Sequence, residues 1–169
     1  MATEIASLKD LYTDHLKDLY SAETQITKAL PKVIKKVTSP ELKKGLEDHL
    51  EQTMNHVSRL ERIFESLDAS PRGKKCIGME GVLEEGKEAM AEKMSSPDLM
   101  DAALIGGCQK VEHYEISAYG TVRAFASLLG EDEAVDLLTQ TLDEEKAADE
   151  KLTQLGMNIV NLDALQEQE

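Results

Sequence analysis

The chain has 169 residues, with 33 Asp and Glu against 19 Lys and Arg, giving a formal net charge of -14. That length suits one ordinary domain with a proper core, and so acidic a surface repels phosphate backbones, which excludes nucleic-acid binding by counterion release. There is no long apolar run, and the start Met1-Ala2-Thr3-Glu4 lacks the basic and apolar regions of a secretory leader, so the expectation is a cytoplasmic protein without membrane insertion.

Helix formers dominate, Trp is absent and aromatics make up only 4%, a balance that favours helices over strands. From about residue 3 to 37, Leu8, Tyr12, Leu16, Leu19, Glu23, Ile26, Leu30, Val33 and Val37 recur at helical spacing on one face. Glu23 is the single charge on that face. Pro31 removes one backbone donor inside the run, so a kink is expected there. Ser39 and Pro40 then supply an N-cap and a first-turn proline.

The second helix is expected over about 40–67, with Leu42, Leu46, Leu50, Met54, Val57, Leu60 and Phe64 inward. Glu51 borders this stripe, whereas His49 and His56 fall off it and read as surface histidines. A basic, Gly- and Pro-containing stretch from Asp68 to Lys75 opens a long connection that carries a short helix over about 79–94. Cys76 in that connection and Cys108 further on form neither a disulfide framework nor a zinc pattern and read as reduced thiols.

Ser96-Pro97 starts the third long helix, and Gly130 closes it. Its stripe is Ile105, Cys108, Glu112, Glu115, Tyr119, Val122, Ala126 and Leu129, with two carboxylates in the middle; a rival stripe through Leu104, Cys108, Val111, Ala118, Val122 and Phe125 puts Glu112 at its edge. The fourth runs over about 131–156 through Leu138, Thr141, Leu142, Glu145, Ala148, Asp149, Leu152 and Leu155. Beyond Met157 a polar tail is expected to be frayed or loosely docked. Two helix pairs joined by a long crossover define an all-α four-helix bundle with ferritin-like connectivity.

Every long helix thus offers an acid at mid-length. Buried carboxylates repel one another unless cations, protons or lysines compensate them. One reading is a dinuclear metal site; the other pairs the acids with Lys28, Lys110 or Lys146, or leaves them protonated.

Tyr20-Ser21-Ala22-Glu23, His49-Leu50-Glu51, Lys110-Val111-Glu112-His113-Tyr114-Glu115-Ile116 and Asp143-Glu144-Glu145-Lys146 resemble the YciE/YciF family of bacterial stress-associated, ferritin-like proteins. The resemblance covers almost the whole chain, including Cys76 to Gly81. It implies a ferritin-like fold and a ferroxidase-like site with ligands at Glu23, Glu51, Glu112, Glu115 and Glu145. Met54 and Ala148 fill the slots where the related rubrerythrin arrangement carries histidines, and Asp149, one residue further on, completes the candidate set.

The expected cofactor is iron, with manganese or another divalent cation as the alternative, in a site that is partly empty if both histidines are missing. The expected function is ferroxidase or peroxide-scavenging chemistry; the alternative is a non-catalytic stress-response protein with an impaired site. A third reading, an acidic module for a cationic partner, rests on net charge alone. Leu99, Met100, Ile105 and Leu128 lie outside a single stripe and suggest a homodimer.

Overall fold

Each helix start has a local cause in the sequence. Ser7 accepts a hydrogen bond from the Asp10 amide at 3.1 Å, and the Asp10 carboxylate accepts in return from Ala6 N–H and the Ser7 hydroxyl. This reciprocal cap starts the first helix at Leu8 rather than near residue 3. Ser39 and Ser96 cap the helices that open with Pro40 and Pro97, and Gly130 adopts φ 73° at the end of one of them, a left-handed conformation that glycine enters without strain.

The computed structural model describes residues 4–166. Its helices are α1 Leu8–Lys36, α2 Pro40–Ser66, α3 Ile77–Ala91, α4 Pro97–Leu129, α5 Asp132–Leu155 and, after a wide π turn at Gly156–Val160, α6 Asn161–Gln166. α1 runs through Pro31 without ending there. α1 packs on α2 and α4, and α5 packs on α2 and α4, closing a four-helix bundle; α3, in the α2–α4 crossover, lies across α1 and α4. Among the described residues no helix is long and apolar enough to cross a membrane.

The C-terminal expectation needs correction. α6 and the π turn pack against α4, and Val160 and Ala164 are buried. Met100 and Ile105, taken from the sequence as surplus apolar surface, are also buried within the chain, whereas Leu128 is 78% exposed.

Asp101 ties the α1–α2 turn to α4. It is fully buried and accepts from the Thr38 amide at 3.0 Å, the Thr38 hydroxyl at 2.8 Å and the Ser39 amide at 2.7 Å. Charge-assisted bonds of this kind offset the cost of burying the carboxylate. A second buried polar knot fixes the crossover. The Tyr114 hydroxyl donates to Asp18 at 2.9 Å and lies 2.9 Å from the Cys76 sulfur, and Cys76 caps α3. Burial is the main cause that pushes the Cys76 thiol up, so this cysteine is a structural group rather than a thiolate nucleophile.

The apolar core is divided. One lobe gathers Ile26, Leu30, Leu46, Met79, Leu104 and Leu152; the other gathers Tyr12, Leu16, Leu60, Phe64, Val122 and Leu138. Between these two sets, at mid-length on α1, α2, α4 and α5, the inward positions carry ionisable side chains instead.

Candidate metal centre

The inward residues of that middle layer are Glu23 from α1, His49 and His56 from α2, Glu112 and Glu115 from α4, and Glu145 from α5, all nearly inaccessible to solvent. The expected acids on α1, α4 and α5 come together, but Glu51 does not. It is exposed, and Met54, assigned a metal-facing slot, is 48% exposed.

The error is one of register. Leu42, Leu46, Leu50 and Met54 advance in steps of four, each overshooting a turn by about 40°, so Met54 ends roughly 120° from Leu42. The face that stays inward mixes steps of three and four through Leu42, Leu46, His49, Thr53, His56, Leu60 and Phe64. The seven-residue spacing of His49 and His56, two turns on one face with Leu42 and Leu60, was the available signal. Apolar periodicity hides it, because Leu50 and Met54 continue the apolar steps of four away from that face.

Asp149 is half-buried at the margin. It accepts from Gln109 at 3.2 Å and lies 3.1 Å from His113 Nε2, outside the central cluster. None of the lysines considered as partners reaches the centre in an ion pair among the described residues; Lys110 instead pairs with Glu85 at 2.7 Å on the outside.

Two groups of donor atoms converge, one from His49, Glu112, Glu115 and Glu145 and the other from Glu23, His56 and Glu145, each within 4.8 Å. Glu145 belongs to both. Its Oε1 lies 2.8 Å from His56 Nδ1, and its Oε2 lies 4.0 Å from His49 Nε2. His49 Nε2 is also 3.1 Å from Glu112 Oε1, and His56 Nδ1 is 3.3 Å from Glu23 Oε1.

These approaches are close, yet His49 Nε2, His56 Nδ1 and both oxygens of Glu115 and Glu145 have no partner with hydrogen-bond geometry. Buried polar atoms are normally satisfied. Buried N and O atoms from four helices, gathered within a few ångströms without hydrogen-bond geometry, are a pattern that a cation fits, and three to four such donors per group suit a borderline or hard divalent ion.

The surroundings orient these donors. Glu144 Oε2 lies 2.9 Å from His56 Nε2, and Arg59 grips the same carboxylate with two nitrogens at 2.6 and 2.9 Å. An Nε2–H donating to Glu144 leaves the Nδ1 lone pair facing Glu23 and Glu145, the arrangement that fixes a metal-binding imidazole. The Tyr119 hydroxyl donates a short hydrogen bond to Glu23. Sequence reading missed Glu144 and Arg59, because both lie on partly exposed faces and act only through His56.

Electrostatics report the crowding. Burial, with the nearby charges of Glu23, Glu145 and Glu112, pushes Glu115 well above the usual carboxylate range. Burial also raises Glu112, to about 8, against the pull of His49. For the imidazoles burial acts downward, but Glu112 holds His49 at about 9 and Glu145 with Glu23 holds His56 at about 10. Glu145 is raised by burial but pulled lower overall by His56 and His49. Whenever no cation is bound, protons and imidazolium charge must compensate the cluster.

Two openings lead to His49 and Glu112. One of about 220 Å³ lies between α2 and α5, with Asp48, Gln52, Glu144 and Lys151 among apolar lining residues. A mostly apolar one of about 250 Å³ runs between α1, α3 and α4.

An α-helical bundle with a long crossover and a core layer of carboxylates and imidazoles defines the ferritin-like class of proteins. Residues 7–165 match the family described as Domain of unknown function (DUF892), and the chain belongs to that family. It is 42% identical over 156 residues to Protein YciF of Escherichia coli (strain K12), covering 92% of this chain and 93% of the relative. The crystal structure of the E. coli stress protein YciF superposes with a TM-score of 0.88 at 41% identity, covering 93% of this chain and 99% of the other. A structure of the protein XCC3681 from Xanthomonas campestris shares the fold, with a TM-score of 0.78 at 23% identity over 96% of this chain and all of the other.

Proposed function

We propose that the chain is a stress-associated, cytoplasmic metal protein in which Glu23, His49, His56, Glu112, Glu115 and Glu145 hold two divalent cations. Iron is the assigned metal, and the activity is oxidation of ferrous iron or removal of peroxide. The observation that carries this reading is the division of Glu145, whose two oxygens lie toward the two histidines, so that it would offer one ligand atom to each of two cations. Two imidazoles among the donors suit iron better than carboxylates alone. Glu51 and Asp149 have no part in this set.

When bound, such a pair supplies one-electron redox chemistry toward oxygen or peroxide. The chain contributes position and environment. Arg59 and Glu144 hold the His56 tautomer, Tyr119 orients Glu23, and apolar lobes flank the layer on both sides. The opening beside Asp48 and Glu144, whose carboxylates lie on its lining, gives cations a route inward. The non-catalytic alternative rests on histidines absent from two slots: α2 now offers His49 and His56, while Ala148 leaves the α5 slot without one.

For assembly we propose a homodimer, supported by the exposed apolar side chains Leu128, Met157, Leu162 and Leu165.

The test is elemental analysis of protein purified without chelator, followed by anaerobic addition of ferrous iron and exposure to air. About two metal ions per chain and oxidation faster than in protein-free buffer are expected. Iron retained but oxidised only at the buffer rate would return the protein to a non-catalytic role, and no retained metal would refute the site.

A further inference from the structure

The cavity between α1, α3 and α4 has features that a route for ions does not require. Its walls are Ile26, Leu30, Val33, Leu83, Met90 and Val111, and its volume is about 250 Å³, just below the range of drug-sized sites and suited to a slender ligand. Gly86 on α3 and Gly107 on α4 also line it, and a methyl group built on either would meet no atom within 4 Å. The two glycines therefore leave space on two different helices toward the same cavity, where larger side chains would close it. Apolar walls that are open to water are a surface whose burial an apolar ligand would gain.

The rim is the second observation. Lys28 and Lys32, one turn apart on α1, and Lys87 on α3 stand at the rim of the opening. Lys87 pairs with Glu84, but Lys28 and Lys32 have no ion-pair partner among the described residues, in a chain that is otherwise strongly acidic. Glu80, also at the rim, is engaged by Lys75. The inner end is polar, at His49 and Glu112. An apolar channel with a local pair of free cations at its mouth matches an anionic head on an apolar tail.

We propose that this cavity binds an amphipathic monocarboxylate, with the carboxylate at Lys28 and Lys32 and the tail running inward past Gly107 toward His49 and Glu112. Scaling from an apolar cavity of ~150 Å³ that holds benzene, the space takes a tail of about ten carbons. Binding itself does not depend on a metal. Only its consequence, that the tail end lies against the metal cluster as a substrate would, rests on the function proposed above.

The test is isothermal titration of metal-free and manganese-loaded protein with decanoate below its micellar concentration, with decanol as the uncharged probe. One-to-one saturable binding of decanoate is expected. Gly107→Leu, which fills the channel, abolishes it, and Gly86→Leu on the opposite wall does the same if the first variant fails to fold. Lys28→Glu with Lys32→Glu weakens decanoate by about tenfold, the sum of two exposed ion pairs, and leaves decanol unchanged.

Absent saturation, or decanoate bound equally by the parent and a folded glycine variant, overturns the proposal. Equal loss of decanol and decanoate in the lysine variant overturns the head-group assignment and with it the proposal. Metal analysis of the same samples separates the two readings. Decanoate binding without metal loading supports the cavity and removes the metal function, whereas metal loading without decanoate binding removes the cavity alone.

Discussion

Changing Glu144 to Gln keeps its size but removes the charge that links Arg59 to His56. In the parent, Arg59 holds this carboxylate at 2.6 and 2.9 Å, and the carboxylate lies 2.9 Å from His56 Nε2. Placed where Oε2 stands, the amide oxygen still meets His56 and one Arg59 nitrogen, but the amide NH2 then faces the other Arg59 nitrogen donor to donor. The grip on Arg59 breaks, the charge is gone, and the imidazole is held less firmly in its tautomer. Partners of this type contribute about ten- to hundredfold to metal affinity, or about 1.4–2.8 kcal/mol. The direct stability effect is smaller. Arg59 and Glu144 are 15% and 25% exposed as side chains, so water screens the lost pair and the metal-free protein should lose roughly 1 kcal/mol. Manganese affinity measured by competition with a chromophoric chelator, paired with urea unfolding of the metal-free protein, separates these effects. Affinity within about twofold of the parent would refute the orienting role, as would an apo-protein loss as large as the loss in binding.

Other perturbations have equally definite outcomes. His49→Ala and His56→Ala are each expected to cost one metal ion per chain, whereas Met54→His, at a surface position, leaves stoichiometry and affinity unchanged; elemental analysis after desalting decides. Asp101→Asn replaces an acceptor of charge-assisted bonds from Thr38 and Ser39 and is expected to cost about 2–4 kcal/mol in urea unfolding. A loss under about 1 kcal/mol would show the turn to be self-supporting. Gly78→Ala brings a methyl group to 2.7 Å from Tyr114, whose hydroxyl is tied to Asp18. The overlap costs about 1–3 kcal/mol, against about 1 kcal/mol gained in helix propensity, so a net loss in thermal unfolding is expected.

The fold was legible in sequence because its signals were local and agreed with one another. Ser39-Pro40, Ser96-Pro97 and Gly130 marked boundaries through capping and backbone geometry. The stripe through Glu112, Glu115 and Tyr119 matched the buried face of α4 because apolar residues flank those carboxylates on the same side. On α2 the same reasoning failed in the middle, where function replaces apolar residues with His49, Thr53 and His56. Hydrophobic periodicity then followed Leu50 and Met54 around the helix and away from the core. Leu42, Leu46, Leu60 and Phe64, common to both readings, would have fixed the register had the ends of the helix been weighed above its centre. Glu144 and Arg59 were beyond reach, since their roles come from a contact between α2 and α5 that no single-helix pattern encodes.

The most direct test of the metal assignment is a crystal structure of manganese-soaked protein with anomalous data collected at the manganese edge. Two peaks about 3.5–4 Å apart are expected in the middle layer, one against His49 and Glu112, the other against Glu23 and His56, with Glu145 between them. A single peak at the surface beside Glu51 or Asp149, or no peak in the layer at all, would contradict it.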